Sequence, residues 1–223
     1  GRDPDMVGSQ YPFPLFEDGD FEIPNAYLPD TEGKRLRGYT GDLVRIRIDS
    51  ARLPAQAEQV TATLPGNRPG RIVVSAHIDS RRGSPGALDN ASGVATLLAL
   101  AELLKQYDDR HTVELVPFNG EDDYAAPGEM LWLAANEGRM DDIVLGINID
   151  DLGWKGTQNH VSFYDCPLDQ AIAVREALVL SEDTFEGPQW FQSDHAIFGM
   201  YGRPAIALAC SDIPGFMAQH AHS

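Results

Sequence analysis

A β-branched run that ends in His-x-Asp is the feature that most constrains the fold of this chain. The run extends from Arg71 to Asp79, and a Gly-rich turn that contains Asp89 follows over residues 86–93. A buried strand followed by a Gly-rich turn that opens a helix is typical of an α/β protein with a parallel sheet. Because ligands bind beyond the carboxyl ends of such strands, His77 and Asp89 are predicted to meet at one sheet edge and to bind a metal ion there.

Two further apolar runs end in acidic residues in the same way. Residues 112–118 precede Asn-Gly-Glu-Asp-Asp at 119–123, and residues 143–149 precede Asp150 and Asp151, one predicted to be a ligand and the other solvated or capping. Carboxylates repel one another and resist burial, so their gathering is costly unless a cation neutralises them. The strand ends therefore predict a divalent metal site.

Composition limits the class of protein. A chain of 223 residues is long enough for one sizeable α/β domain, and a formal net charge of -17 argues against nucleic acid and anionic membranes as partners. The sequence contains no apolar run of the roughly 18 residues that a transmembrane helix needs. Cys166 and Cys210 form no C-x-x-C unit, which excludes a zinc ribbon. They could form a disulfide or remain two buried thiols, and we favour the thiols.

The remaining periodicity predicts strands that alternate with helices. Residues 42–49 alternate apolar and charged side chains, as a half-exposed strand does, and residues 59–64 predict a second strand. Apolar residues recur at helical spacing over residues 90–106, 128–136 and 168–180. Such alternation predicts an α/β fold with a mostly parallel sheet.

Each candidate site residue also has an ordinary structural interpretation. A lone His77 is more often structural than a ligand, but Asp79 can turn back to hold its second ring nitrogen, as carboxylates do behind metal-binding histidines. Asp89 could cap the following helix instead of binding a metal. Glu121 and Asp122 could form an ordinary acidic loop. As neighbours they have diverging side chains, so one can bind metal while the other faces the substrate.

Five short motifs carry these residues and their surroundings. They are His77-x-Asp79, Gly86-Ala-x-Asp89-Asn90-x-Ser92-Gly93, Asn119-Gly-Glu121-Asp122, Asn148-x-Asp150-x-x-Gly153 and Ser193-Asp194-His195-x-x-Phe198-x-x-x-Gly202-x-Pro204. Their order and spacing, over about residues 57–223, resemble the co-catalytic dizinc aminopeptidases, a family that includes glutamate carboxypeptidase, glutaminyl cyclase and transferrin receptor relatives. The resemblance implies a three-layer α/β/α sandwich with a mixed, mainly parallel sheet and the metals at its C-terminal edge.

The resemblance further implies a site that holds two zinc ions. Asp89 would bridge the two ions, and His77 and Asp150 would complete the first site. Glu121 occupies the position of the general base, which would act on a metal-bridging hydroxide.

The second zinc site would take Asp122 and a histidine near the end of the domain. The family usually has Glu at the position of Asp122, a side chain longer by one methylene, so this site is expected to be displaced or weaker. The last ligand of the family lies in a His-Ser/Thr pair, which His222-Ser223 fits better than His220 does. For Asp194-His195 we expect a structural or substrate-side hydrogen bond, because the family does not use this pair as metal ligands.

The implied activity is that of an aminopeptidase, a zinc hydrolase whose partner is a peptide substrate with a free amino terminus. Two alternatives remain: a glutaminyl-cyclase-like single-zinc transferase, and a non-catalytic receptor-like domain of the same fold. Residues 1–56 are expected to form an N-terminal extension, the remnant of a protease-associated domain, and residues 57–223 a zinc peptidase domain that lacks its last helix. The resemblance slightly favours a secreted or periplasmic location.

Overall fold

The computed structural model describes residues 30–49, 56, 58–106, 110–122, 126–190, 193–219 and 221. Strands and helices alternate along these residues. The strands are β1 (Ala62–Leu64), β2 (Arg68–His77), β3 (His111–Phe118), β4 (Ile143–Ile149), β5 (Asn159–Tyr164), β6 (Thr184–Glu186) and β7 (Ala205–Cys210). The helices are α1 (Asp30–Leu36), α2 (Ala91–Leu104), α3 (Pro127–Ala135), α4 (Leu168–Leu178), α5 (Ala196–Met200) and α6 (Ile213–Gln219).

Within the described residues, the strands form one mixed sheet in the order β1-β3-β2-β4-β7-β5-β6. The central strands β3, β2, β4 and β7 run parallel, whereas β1 is antiparallel to β3 and β5 is antiparallel to β7. The predicted mixed, mainly parallel sheet is therefore confirmed. Because the central strands share one direction, their carboxyl ends lie along one edge, where His77 pairs in register with Phe118.

Helix α2 covers one face of the sheet. Its Leu97 is buried against Val74, Ala76 and Ile149, together with partly buried Leu100, Ala101 and Leu104. The helix approaches the sheet closely at Gly93, where an added Cβ would lie 2.7 Å from the carbonyl oxygen of Ile149 and 2.9 Å from Cβ of Ala76. Only glycine allows this approach, which holds the start of the helix against the strand ends.

Helices α3 and α5 cover the opposite face. Their core is aromatic: the ring centroids of Phe118 and Trp132 are 5.7 Å apart, and those of Trp132 and Phe198 are 6.4 Å apart, both edge to face. Such pairs contribute roughly 0.5–1.5 kcal/mol each beyond the burial of their area. Gly146 of β4 leaves room for this cluster, since a Cβ there would lie 2.4 Å from the Phe198 ring. The two covered faces confirm the three-layer α/β/α sandwich.

Several boundaries differ from the sequence-based expectation. The strand predicted at residues 42–49 is wrong: the segment is irregular and exposed, and among the described residues no strand pairs with it. Apolar and charged residues do alternate in this segment, but a strand also requires a hydrogen-bonded neighbouring strand. The strand predicted at 59–64 shortens to Ala62–Leu64, and helix α1 was not predicted. The three predicted helices are present as α2, α3 and α4.

The cysteines are free thiols, as favoured from the sequence, with Cys210 buried and Cys166 partly buried. Within the described part of the chain, no helix is long and apolar enough to cross a membrane. Residues 1–29 lie outside the described residues, so the predicted division at residue 56 stays a prediction.

Candidate metal centre

Three predicted ligands converge at the carboxyl edge of the sheet. His77 ends β2, Asp150 follows β4, and Asp89 lies in the turn before α2. Nε2 of His77 is 3.0 Å from Oδ1 of Asp89 and 3.2 Å from Oδ1 of Asp150. One ligand atom from each of the three residues lies within 4.8 Å of the others. This spacing suits a single divalent ion bound between them.

Asp79 fixes the imidazole of His77, but chiefly through its main chain. Nδ1 of His77 lies 3.0 Å from the carbonyl oxygen of Asp79 and 3.6 Å from its Oδ1. The sequence-based expectation that the Asp79 carboxylate itself holds this nitrogen is therefore only partly met. A carbonyl partner for Nδ1 keeps the proton there and leaves Nε2 able to bind a metal.

The carboxylate of Asp79 instead organises the loop after β3. Oδ1 accepts hydrogen bonds from the main-chain nitrogens of Gly120 and Glu121 at 2.8 Å and 3.1 Å, and Oδ2 accepts one from Asp122 at 3.0 Å. One side chain thus ties the end of β2 to the segment that carries both adjacent acids.

Asp89 is not the cap of helix α2. That role belongs to Asn90, whose side chain accepts a hydrogen bond from the main-chain nitrogen of Gly93 at 3.0 Å. The Asn90 amide also donates to the carbonyl oxygen of Ile149 at 2.8 Å. The capping interpretation of Asp89 therefore fails, and its carboxylate faces His77.

A chain of buried hydrogen bonds orients Asp150. Ser193 donates to Oδ2 of Asp150 at 2.6 Å, and the Asn148 amide donates to the Ser193 hydroxyl at 2.8 Å. Ser75 in turn donates to the Asn148 side-chain oxygen at 2.8 Å. Oδ1 of Asp150 accepts no hydrogen bond from the described residues. The arrangement occupies one oxygen and leaves the other for a cation.

Electrostatics at the three residues favour a cation. Burial alone would lower the pKa of His77, but the facing Asp150 carboxylate, with Asp79 and Asp89, raises it well above its ordinary value. The carboxylates thus stabilise positive charge at the imidazole, and a divalent ion supplies such charge without a proton. Imidazole and carboxylate are also ordinary zinc ligands, so the residues fit the implied metal.

Glu121 lies beside this centre without joining it. Its Oε2 is 3.9 Å from Nε2 of His77, and its side chain is 17% exposed. Burial raises the pKa of Glu121 well above its ordinary range; His77 opposes this rise, and Asp150 and Asp194 add to it. A partly accessible carboxyl group with a raised pKa holds a proton more firmly than an ordinary one, a property typical of residues that transfer protons.

The two adjacent acids diverge, as expected, but Asp122 is already held by hydrogen bonds. Its Oδ2 accepts a hydrogen bond from the main-chain nitrogen of Arg81 at 2.8 Å, and its carbonyl oxygen accepts one from Nη1 of Arg81 at 2.9 Å. Asp122 is 2% exposed and is not part of the three-residue ligand group. The predicted partner of Asp122 at the second site, His222, and its alternative, His220, lie outside the described residues.

The neighbour of Asp150 is neither solvated nor capping. Asp151 is buried, with a left-handed φ of 55°. Burial raises the pKa of Asp151 to about 9, and the Asp150 carboxylate adds to the rise. Its carbonyl oxygen accepts a hydrogen bond from Cys210 at 3.0 Å, which ties the end of β4 to the end of β7.

Asp194 and His195 are both fully buried, in agreement with a structural role. Nε2 of His195 lies 2.8 Å from the carbonyl oxygen of Trp190, and burial lowers the pKa of His195 to about 4. Asp194 contacts Glu129 of α3, and burial raises the pKa of both carboxyl groups, that of Glu129 to about 8. Two buried carboxyl groups in contact repel each other when both are ionised, so their burial favours a proton on at least one of them.

Sequence reasoning missed Glu129, Arg81 and the role of Ser193. Glu129 stands directly before the apolar run Met-Leu-Trp-Leu-Ala-Ala of α3, an isolated acid that could have been noticed. No sequence pattern indicates the role of Arg81, because its contact with Asp122 forms only where two separate loops meet. Ser193 lies within a quoted motif, but its spacing along the chain says nothing about Asp150.

Comparisons with known proteins indicate the family to which the chain belongs. A stretch of the chain matches a "Probable zinc metalloprotease" of Pyrenophora tritici-repentis at 35% identity over 94 residues, which covers 38% of this chain and 20% of that protein. The chain thus spans about a fifth of the length of this relative.

Solved structures share the fold. One is BSAP, a zinc aminopeptidase from Bacillus subtilis, with a TM-score of 0.58 and 21% identity over 70% of this chain and 40% of that one. Another is a glutaminyl cyclase from an Acidobacteriales bacterium, with a TM-score of 0.55 and 19% identity over 66% of this chain and 56% of that one. The family model described as "Peptidase family M28" matches residues 59–221. The match extends over all seven described strands and over every residue of the three-residue group, and the chain belongs to peptidase family M28.

Proposed function

We propose that this chain is the catalytic part of a zinc aminopeptidase. The observation that carries the proposal is the convergence of His77, Asp89 and Asp150 within 4.8 Å at the sheet edge, with Glu121 beside them. A non-catalytic domain of the same fold would have no need to keep both a ligand group and an adjacent base.

The ligand group also bears on the cyclase alternative. A single-zinc cyclase is expected to use Asp89, Asp122 and a C-terminal histidine and has no need of His77 and Asp150, which gather with Asp89 among the described residues. The formed group is therefore the one that the peptidase mechanism requires and the cyclase mechanism lacks. This difference supports the peptidase over the cyclase.

Each residue then has a defined task. His77 and Asp150 would hold the first zinc ion, Asp89 would bridge to a second, and Asp122 with His222 would complete the second site. Bound zinc would lower the pKa of a water ligand to near neutrality and would polarise a carbonyl group. Glu121 accepts the proton of the attacking water and returns it to the departing amine.

We propose the preference for a free amino terminus because of the negative charge of the carboxylates near the metal centre. The carboxylates of Asp89 and Asp150 lie at the centre with Glu121 beside them, and negative charge there complements a protonated α-amine better than a neutral amide. Acetylation removes the positive charge of the amine, so the carboxylates that would face it lose their partner.

A panel of aminoacyl anilides with free and acetylated amino ends tests this proposal, with C-terminally extended acidic dipeptides as a third group. We expect cleavage of the free-amine anilides only. Equal cleavage of the acetylated anilides, or release of C-terminal residues alone, would assign the chain to another specificity on the same metal centre. Cyclisation of N-terminal glutamine without any hydrolysis would support the cyclase.

A further inference from the structure

We propose that Tyr164 and His195 are positioning residues for the first metal site. They hold the chain at Trp190 and so fix the turn that presents Ser193 to Asp150. Neither residue belongs to the three-residue ligand group. The inference rests on the proposed function, because it concerns the metal site of that function.

The main chain of Trp190 is held from two sides. Tyr164, the last residue of β5, donates a hydrogen bond from its hydroxyl to the carbonyl oxygen of Trp190, and it accepts one from the main-chain nitrogen of Trp190 at 2.9 Å. Nε2 of His195 lies 2.8 Å from the same carbonyl oxygen. A carbonyl oxygen has two lone pairs, so it can accept both bonds. Residue 190 is thus tied to a strand of the sheet and to the turn at 193–195.

The three rings pack against one another, and their protons are fixed. The ring centroids of Tyr164 and His195 are 4.6 Å apart, and those of Trp190 and His195 are 4.7 Å apart. Burial lowers the pKa of His195 to about 4 and raises the pKa of Tyr164 to about 12. Near neutral pH the imidazole is therefore uncharged with one N–H, and the phenol keeps its proton. Both groups can donate to the Trp190 carbonyl oxygen under ordinary conditions.

The turn that follows carries the hydroxyl group that orients a metal ligand. His195 lies two residues after Ser193, which donates to Oδ2 of Asp150 at 2.6 Å. The main-chain nitrogen of Ala196 closes the turn by donating to the carbonyl oxygen of Ser193 at 3.0 Å. Buried residues of α5 anchor the turn on its far side, and the contacts of Trp190 anchor it on the near side. Because a short hydroxyl bond depends on where its main chain lies, loosening the near anchor should weaken the hold on Asp150.

Zinc affinity of the full chain tests the inference without any activity measurement. Tyr164→Phe and His195→Leu each remove one of the two donors to Trp190. Each should weaken binding of the first ion by roughly tenfold in competition with a chelator, the lower end of the effect of losing a partner that orients a ligand. His195→Gln keeps an N–H donor and should recover most of the loss. Tyr201→Phe removes the hydroxyl of an exposed tyrosine after α5 and should stay within about twofold of wild type.

A double variant asks whether Tyr164 acts through Ser193. Ser193→Ala removes the hydroxyl group that bonds to Asp150. If Tyr164 acts by placing this hydroxyl group, Tyr164→Phe should change zinc affinity by no more than about twofold in the Ser193→Ala background. A merely structural contribution of Tyr164 would instead lower zinc affinity by the same factor in both backgrounds.

The outcomes are distinct. Wild-type affinity in Tyr164→Phe and His195→Leu, or an equal loss in both backgrounds, would overturn the inference while the proposed function stands. If the wild-type chain itself binds no zinc, the proposed function and the inference both fail. A loss in Tyr164→Phe that disappears in the Ser193→Ala background supports the inference. Circular dichroism verifies folding, and substitutions at two different residues keep the test decisive if one variant does not fold.

Discussion

The hydroxyl group of Ser193 donates a 2.6 Å hydrogen bond to Oδ2 of Asp150, the oxygen that faces away from His77. This bond directs the other oxygen of Asp150 into the centre. Ser193→Ala should therefore lower zinc affinity by about 10–100-fold, the usual effect of removing a partner that orients a ligand. Competition with a chelator measures the change. Ser162→Ala, which removes a buried serine hydroxyl in β5, is the control, and an equal loss there would show a general effect of core polarity.

Glu121 and Asp122 should respond differently to loss of charge. Glu121→Gln keeps the shape of the side chain but cannot accept the proton, so hydrolysis should fall by roughly 10²–10⁴ with zinc content unchanged. Asp122→Asn should lose zinc as well as rate. Steady-state kinetics with elemental analysis checks both variants. The assignment would be reversed if Glu121→Gln lost metal and Asp122→Asn kept it.

The buried carboxyl group of Glu129 should make stability depend on pH. Burial raises its pKa in the folded chain to about 8 from 4.5, so the folded state holds more protons than the unfolded state between these values. The stability it contributes is complete below about pH 4.5 and is lost as the pH rises towards 8. Glu129→Gln cannot ionise and should flatten this slope, by at most about 1.4 kcal/mol per pH unit.

Urea unfolding of the metal-free chain from pH 5 to pH 8 measures the slope. Glu102→Gln, at an exposed position of α2, is the matched control and should behave as wild type. Parallel pH profiles for wild type and Glu129→Gln would contradict the assignment of a buried proton to this residue.

A buried ion pair at the other end of the sheet should matter for stability alone. Arg71 is 4% exposed and pairs with Glu114, which also accepts a 2.8 Å hydrogen bond from the indole of Trp132. Arg71→Met would leave the Glu114 carboxylate without its cation and should cost about 3–5 kcal/mol. Chemical denaturation measures this loss. The double variant Arg71→Met with Glu114→Gln should recover part of it, and a double variant less stable than the single one would argue against an ion pair.

Much of this fold could be predicted from local patterns. The run from Arg71 to His77 is β-branched and bounded by turns, and its identity as a strand follows from those properties alone. The convergence of His77 and Asp150 followed from parallel strands, because such strands end on the same edge. These predictions succeeded because a strand can be recognised from its own residues, and because the shared direction of parallel strands fixes where their ends lie.

Other features depend on contacts that no local pattern encodes. Residues 42–49 alternate as a strand does, yet a strand also needs a partner, and its partner is not specified by its own sequence. Asn90, and not Asp89, caps helix α2, because the side chain nearer the helix reaches the Gly93 nitrogen. The contact between Arg81 and Asp122 joins two loops, so only the assembled sheet edge brings them together.

The separation of the ligands along the chain sets an order for assembly. His77 and Asp89 are near neighbours in sequence. Asp150 reaches them only after β4 has paired in parallel with β2, and β3 and α3 lie between these two strands in the sequence. Early folding species would offer zinc two ligands, which bind weakly, and the third appears with the native topology. Zinc is thus expected to slow unfolding of the finished domain and not to speed its folding. Stopped-flow refolding and unfolding with and without zinc would separate these two rates.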